Sequence, residues 1–335
     1  YNNKASSAPS FTSGAGGGGV YFGESTSVLT NSKIYQNSIQ ASHSKRGSGI
    51  YVGGGVKIEN CSIYENYDAN DGGGIYTSGD NVIISSSIIY SNTASSYGGA
   101  MRVNGKTTLK DLIIHSNICQ NYASAIMFRG DEEKTMINSL VYDQSGTAIM
   151  LYGNPGKLEI INCTFSNNET AFYLYQNELL NIKNSIFSNN TKDLNFVRSY
   201  DVCADVTINN TLFSDSLHFW TNDCEINFVN GNIFNSPLFF NMNNGDYRLS
   251  DYSPAIGAGT ATGAPTIDID GNVRPNPAGS NPDMGAYENS LPSQLPKAGT
   301  IADGLSTDVD WWNSSSEISA NWTPFTDNDD VTYEY

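Results

Sequence analysis

The sequence predicts an all-β solenoid, a parallel β-helix of about eight or more coils, and three observations carry that expectation. The first is an internal repeat: an aliphatic residue, any residue, a small polar residue that is usually Asn, a small residue, any residue, a hydrophobic residue, and Asn three positions later. It runs as LTNSKIYQN from Leu29, IENCSIYEN from Ile58, ISSSIIYSN from Ile84 and LKDLIIHSN from Leu109, then as MINSLVYDQ from Met136, IINCTFSNN from Ile160, IKNSIFSNN from Ile182 and INNTLFSDS from Ile208. The second is an element that keeps step with the first: Gly-Val-Tyr-Phe at Gly19, Gly-Ile-Tyr-Val at Gly49, Gly-Ile-Tyr-Thr at Gly74 and Gly-Ala-Met-Arg at Gly99, continuing at Ser124, Thr147 and Thr170. The third is that no stretch carries a sustained 3.6-residue period, so helix has no place in the reading.

The third repeat position falls at Asn31, Asn60, Ser86, Asp111, Asn138, Asn162, Asn184 and Asn210, so seven intervals cover 210 − 31 = 179 residues, a mean near 26. Propeller blades need about 40 residues and four strands each, so the shorter period favours stacked coils. Stacking at about 4.8 Å makes eight coils a rod of roughly 40 Å, in which equivalent side chains form ladders. Leu29, Ile58, Ile84, Leu109, Met136, Ile160, Ile182 and Ile208 read as one inward ladder. Ile34, Ile63, Ile89, Ile114, Val141, Phe165, Phe187 and Phe213 read as a second. Val20, Ile50 and Ile75 align with Ala100, Ala125, Ala148 and Ala171, a shrinkage that the new phenylalanines would offset. Asn suits the corners because it tolerates left-handed backbone and its amides hydrogen-bond along a stack.

Composition excludes several function classes. The chain has 335 residues, 34 acidic against 17 basic side chains and net charge −17, too acidic for a nucleic-acid binder. Only 15% of residues are charged at a mean hydropathy of −0.35, while 40 are Asn, so uncharged polar groups dominate. No run approaches the roughly 20 apolar residues of a membrane-spanning helix. Of five cysteines, Cys61 and Cys163 read as buried repeat positions. Cys203 and Cys224 flank an excursion from the pattern and are either joined by a disulfide that closes it or two buried free thiols.

The Gly-rich repeats and Asn-Cys-Ser/Thr corners resemble right-handed parallel β-helix proteins of bacterial cell surfaces. The series Ile233-Phe-Asn-Ser-Pro, Asn244-Gly-Asp-Tyr-Arg-Leu, Asp268-Ile-Asp-Gly-Asn-Val-Arg-Pro and Asp283-Met-Gly-Ala-Tyr-Glu is similar to the end of the choice-of-anchor Q group. That resemblance, covering roughly residues 14–288, implies a right-handed coil over 1–250 and a segment 251–288 that closes its open end. Residues 289–300 read as a Pro-containing linker. Residues 301–335, with Trp311, Trp312 and Trp322, resemble the start of an Ig- or fibronectin-like sandwich too short to be complete. Either a preceding segment or residues 1–13 is expected to cap the amino end.

For chemistry, three scattered histidines leave little for His-based metal sites or Ser-His-Asp catalysis, and Glu59, Asp111 and Glu159 are too scattered for a glycosidase. A polysaccharide lyase would draw on Arg102 and Arg129 as a carboxylate clamp on consecutive coils, with Tyr76 or Lys110 as base; the competing reading pairs both arginines with Asp131 and Glu132. Tyr21, Tyr51 and Tyr76, followed by Met101, Ile126, Ile149 and Phe172, form either a sugar-binding aromatic strip or part of the core. Asp268, Asp270 and Asp283 are calcium candidates, against an ion pair with Arg274 that closes the cap. Calcium apart, no cofactor is expected.

The preferred functional reading is a non-catalytic module of a larger surface protein, outside the cell or on the outer surface of a Gram-negative bacterium. It would bind a polysaccharide or cell-surface glycan, or act in adhesion, through Tyr21, Tyr51, Tyr76, Arg102 and Arg129. The alternatives are a polysaccharide lyase or related carbohydrate-active enzyme, and a spacer without a ligand.

Overall fold

The computed structural model describes residues 4–6, 15–24, 26–40, 44–153, 156–175, 179–197, 203–214, 219–290, 301–303, 320–322, 325–326 and 332–333. Three strand positions per coil stack in parallel. Two of them, meeting at a corner, form a sixteen-stranded sheet, and the third forms a nine-stranded sheet running from Val20–Glu24 to Phe219–Trp220. A five-stranded arm, from Ala15–Gly16 through Lys45–Arg46, Ala69–Asp71 and Thr93–Tyr97 to Ile118–Cys119, stands beside the first coils.

Both aliphatic ladders expected from the repeat stack in register: Ile58 on Ile84 on Leu109 on Met136, and Ile63 on Ile89 on Ile114 on Val141. All are buried in one continuous core. All eight residues at the third repeat position are left-handed, with φ from 44° at Asn210 to 54° at Asp111. A second corner repeats the device at Gln36, Glu65, Ser91, Ser116, Asp143, Asn167 and Asn189. Just past it lies a ladder of buried amides. Asn37 donates to Asn66 at 2.8 Å, Asn66 to Asn92 at 2.9 Å and Asn92 to Asn117 at 3.1 Å, and the row continues through Gln144 to Asn168 and Asn190. Asn92 also donates to the carbonyls of Ile63 and Tyr90. Asn92→Ala strands those acceptors and the amide of Asn66, so a loss of about 1–3 kcal/mol is expected in urea unfolding; a change below about 0.5 kcal/mol would mean that water replaces the amide.

One alignment needs correcting. Ile75 pairs with Met101, not Ala100, and Tyr76 with Arg102. Ala100 instead matches Gly74, whose N–H bonds to its carbonyl. A slip of one residue exchanges the two faces of a strand. The inward ladder therefore reads Val20, Ile50, Ile75, Met101, Ile126, Ile149, Phe172, and its volume grows instead of shrinking.

Residues 239–290 also depart from expectation: they lie along the flank and do not close the end of the coil. Asn138, Asn162, Asn184 and Asn210, the corner residues of four successive coils, donate side-chain amides to the carbonyls of Ile267, Asp283, Thr260 and Ala258. Two apolar clusters seal the contact. One joins Ile186 and Leu212 to Leu249, Ala255, Ile256 and Met284, and the other joins Leu140 to Tyr247, Ala286 and Tyr287. The coil end itself is topped by Phe228 and Phe234, both exposed. Cys203 and Cys224 form a disulfide, while Cys61 and Cys163 are buried free thiols and Cys119 is a half-buried one.

The linker expected at 289–300 and the sandwich start expected at 301–335 fall largely outside the described residues. Within them, Ile301–Asp303 pairs antiparallel with Ala320–Trp322, and Phe325–Thr326 with Thr332–Tyr333. At the amino end Lys4–Ser6 pairs with Ser38–Gln40; residues 7–14 lie outside the description. Among the described residues no helix is long and apolar enough to cross a membrane.

Candidate functional site

The outward ladder of the nine-stranded sheet runs Tyr21, Tyr51, Tyr76, Arg102, Met127, Met150, Tyr173. Its first three rings stack, with centroids 4.9 and 5.3 Å apart and planes within 12° and 18°. The tyrosines thus point away from the coil core, yet their inner faces are used up on one another. What they offer outward is edges and hydroxyls, and Tyr76 is covered by the arm. A second ladder, Tyr35, Tyr64, Tyr90, His115, Tyr142, is stacked in the same way on the other sheet. Stacking leaves the interior members of either ladder no open face on which a sugar ring can lie flat.

Arg102 is neither solvated nor paired with Asp131 and Glu132. Its Nη1 lies 2.6 Å from Asp71 Oδ2, with both side chains about nine-tenths buried. The guanidinium carbon sits 5.7 Å from the ring centre of Tyr76 and 5.1 Å from that of Tyr97. Arg46, paired with Asp71 in the arm, lies 5.3 Å from the centre of the same Tyr76 ring. Burial pushes the Asp71 carboxyl up, and the charges of Arg102 and Arg46 pull it back only in part. Arg129 stands one coil on and two residues further along, exposed, so the structure unites Tyr76 with Arg102 and leaves Arg129 outside the pair. Lys110 is on the other sheet, bound to Asp111 at 3.6 Å.

Beyond Arg102 the character of the surface changes. Met127, Met150 and Ala123 are buried, and Tyr97, Tyr152, Tyr173 and Tyr175 pack over them. Tyr122 stacks on Tyr97 at 4.9 Å and is 42% exposed. Tyr152 meets Tyr175 edge-on at 88°, and Tyr173 is tilted 56° to Tyr175. Tyr97 also faces Tyr152 at 6.4 Å and 27°, so the steep contacts are those that Tyr175 makes with Tyr152 and Tyr173. Burial raises the phenols of Tyr97 and Tyr173, which stay protonated donors at neutral pH. Five tyrosines from successive coils and from the arm thus form a platform on a methionine floor. Sequence reasoning missed it, although Tyr97 and Tyr122 both precede the small residues that open a strand, and Tyr152 and Tyr175 both follow a Leu that closes one.

Residues 99–255, a range that holds every platform tyrosine except Tyr97, match the family model described as a right handed beta helix region. The chain carries a right-handed β-helix. No curated protein matches the chain. The tyrosine platform therefore lies on the outer wall of the β-helix, beside the arm.

The three calcium candidates are divided between two roles on the flank of the β-helix. Asp268 accepts the backbone N–H groups of Asp270, Asn272 and Glu288. Asp283 accepts those of Gly257 and Asn289. Arg274 Nε lies 2.9 Å from Glu288 Oε2, with both side chains fully buried, whereas Asp270 turns outward to Arg248 at 2.7 Å. With their lone pairs directed at N–H groups, Asp268 and Asp283 form a clamp, and no group of three or more metal-ligating side chains occurs among the described residues.

Burial, reinforced by Glu288, pushes Asp283 up to about 7. A raised carboxyl binds its proton in the folded state while the unfolded chain has lost it, so this contribution is full below about pH 4 and fades as pH rises through about 7. The parent is therefore expected to gain stability relative to Asp283→Asn as pH falls from 8 to 5 in thermal unfolding. A pH-independent difference would contradict the assignment.

Proposed function

We propose that this β-helix is a non-catalytic, carbohydrate-binding module of an extracellular protein, and that the platform of Tyr97, Tyr122, Tyr152, Tyr173 and Tyr175 is its glycan site. The observation that carries the reading is the arrangement of these rings. Tyr175 meets Tyr152 edge-on and Tyr173 at a tilt over the Met127 and Met150 floor, while Tyr122, stacked on Tyr97, stands 42% exposed beside them, and sugar rings pack their C–H faces on such aromatic surfaces. Arg129, which precedes Tyr152 and Tyr175 at the equivalent position one and two coils earlier, borders the platform and supplies a hydrogen-bonding edge. The disulfide supports a location outside the cytoplasm, since such bonds persist in oxidising compartments. The commitment of Arg102 to Asp71 removes the central cation of the lyase reading and supports a binding role.

The test is a glycan array read with the parent and with Tyr122→Ala and Tyr152→Ala. Selective binding that falls at least tenfold in both variants, with unchanged near-ultraviolet circular dichroism, is expected. Binding indifferent to both changes moves the site elsewhere. Progressive consumption of a bound glycan by the parent would replace the module with an enzyme.

A further inference from the structure

The last coil ends in rings. Phe219, Phe228 and Phe234 gather around Phe213 at 4.9, 6.4 and 5.8 Å, closing the core from the inside. Phe228 continues the inward ladder of Ile208, yet it is 41% exposed, with Phe234 at 49% and Trp220 at 54%. The strands Phe219–Trp220, Ile226–Phe228 and Ile233–Phe234 each pair on one side only among the described residues. A solenoid end of this kind is a bare core with unpaired backbone groups, and it needs a cover.

We propose that this end is a docking surface for residues 301–335 of the same chain. The chain leaves the flank close by: Asn289 is tied to the Leu249 carbonyl, Leu249 pairs with Phe239, and Phe239 and Ile233 of the last coil pack on one apolar cluster. Ten residues, 291–300, can reach at most about 33–36 Å when extended, enough tether to hold residues 301–335 at high local concentration near the end. The segment offers two antiparallel strand pairs, Ile301–Asp303 with Ala320–Trp322 and Phe325–Thr326 with Thr332–Tyr333. Two-stranded ribbons are marginal in water and hold only against a further surface. Its sequence is rich in large apolar residues, with Trp311, Trp312, Trp322 and Phe325.

The full chain with Phe234→p-benzoylphenylalanine is irradiated and digested. Cross-links from position 234 into residues 301–335 within a monomer are expected. Links between two chains would assign the surface to a second copy, and links confined to residues 219–250, or none, would leave it uncovered; each of these results overturns the proposal. Independently, Trp311→Ala with Trp312→Ala is expected to speed amide exchange at Ile226–Phe228 and Ile233–Phe234 at least tenfold. Unchanged exchange there overturns it as well.

Discussion

Arg102→Ala is expected to destabilise the protein by about 3–5 kcal/mol, because it leaves the Asp71 carboxylate buried against Tyr76 and Tyr97 with its nearest cation gone. The loss has a pH signature. Asp71 is already pushed up by burial, and without Arg102 it rises further, so the variant recovers part of the loss by taking up a proton. Urea unfolding at pH 8 and pH 5 measures both effects, and the deficit is expected to be larger at pH 8. Arg102→Ala combined with Asp71→Ala costs less than the two single changes added, since no orphaned charge remains. A single-variant loss under about 1 kcal/mol would show that Arg46 takes over the pairing.

Phe187→Ala carries the second large effect, about 3–5 kcal/mol. Its ring sits between Phe165 at 5.1 Å and Phe213 at 4.9 Å, with Phe172 at 5.8 Å, all fully buried. A coil cannot shrink locally without breaking register with the coils above and below, so the cavity persists. Tyr21→Ala on the exposed end of its ladder is the matched control, expected to cost less than about 1 kcal/mol. Comparable losses at the two positions would mean that the core relaxes around the missing ring.

The repeat was legible because every coil must solve the same two problems at the same phase. Ile58, Ile84 and Leu109 fill the interior, and Asn31, Asn60 and Asn138 turn left-handed corners, so both requirements recur at a fixed spacing and stand out. The alignment at Ala100 failed because the Gly-Gly-Ala run offers two registers one residue apart, and only the backbone pairing of Ile75 with Met101 chooses between them. The platform was hidden for a different reason. Tyr97 belongs to the arm, and Tyr122, Tyr152 and Tyr175 to loops that follow a strand, so their meeting depends on how the two sheets sit, which no single period encodes. The flank segment has no repeat at all, and its partners lie 48 to 129 residues away in sequence.

Those distant partners change how the rod comes apart. A plain solenoid frays from whichever end is weaker, since each coil touches only its neighbours. Here the strap along residues 138–212 ties successive coils to one another as well, so that stretch must open together or not at all. The coils ahead of Asp111 have no such tie among the described residues. Under heat or a pull along the axis, the molecule therefore yields in two stages, the amino-terminal coils peeling away singly and the strapped ones giving way in one step.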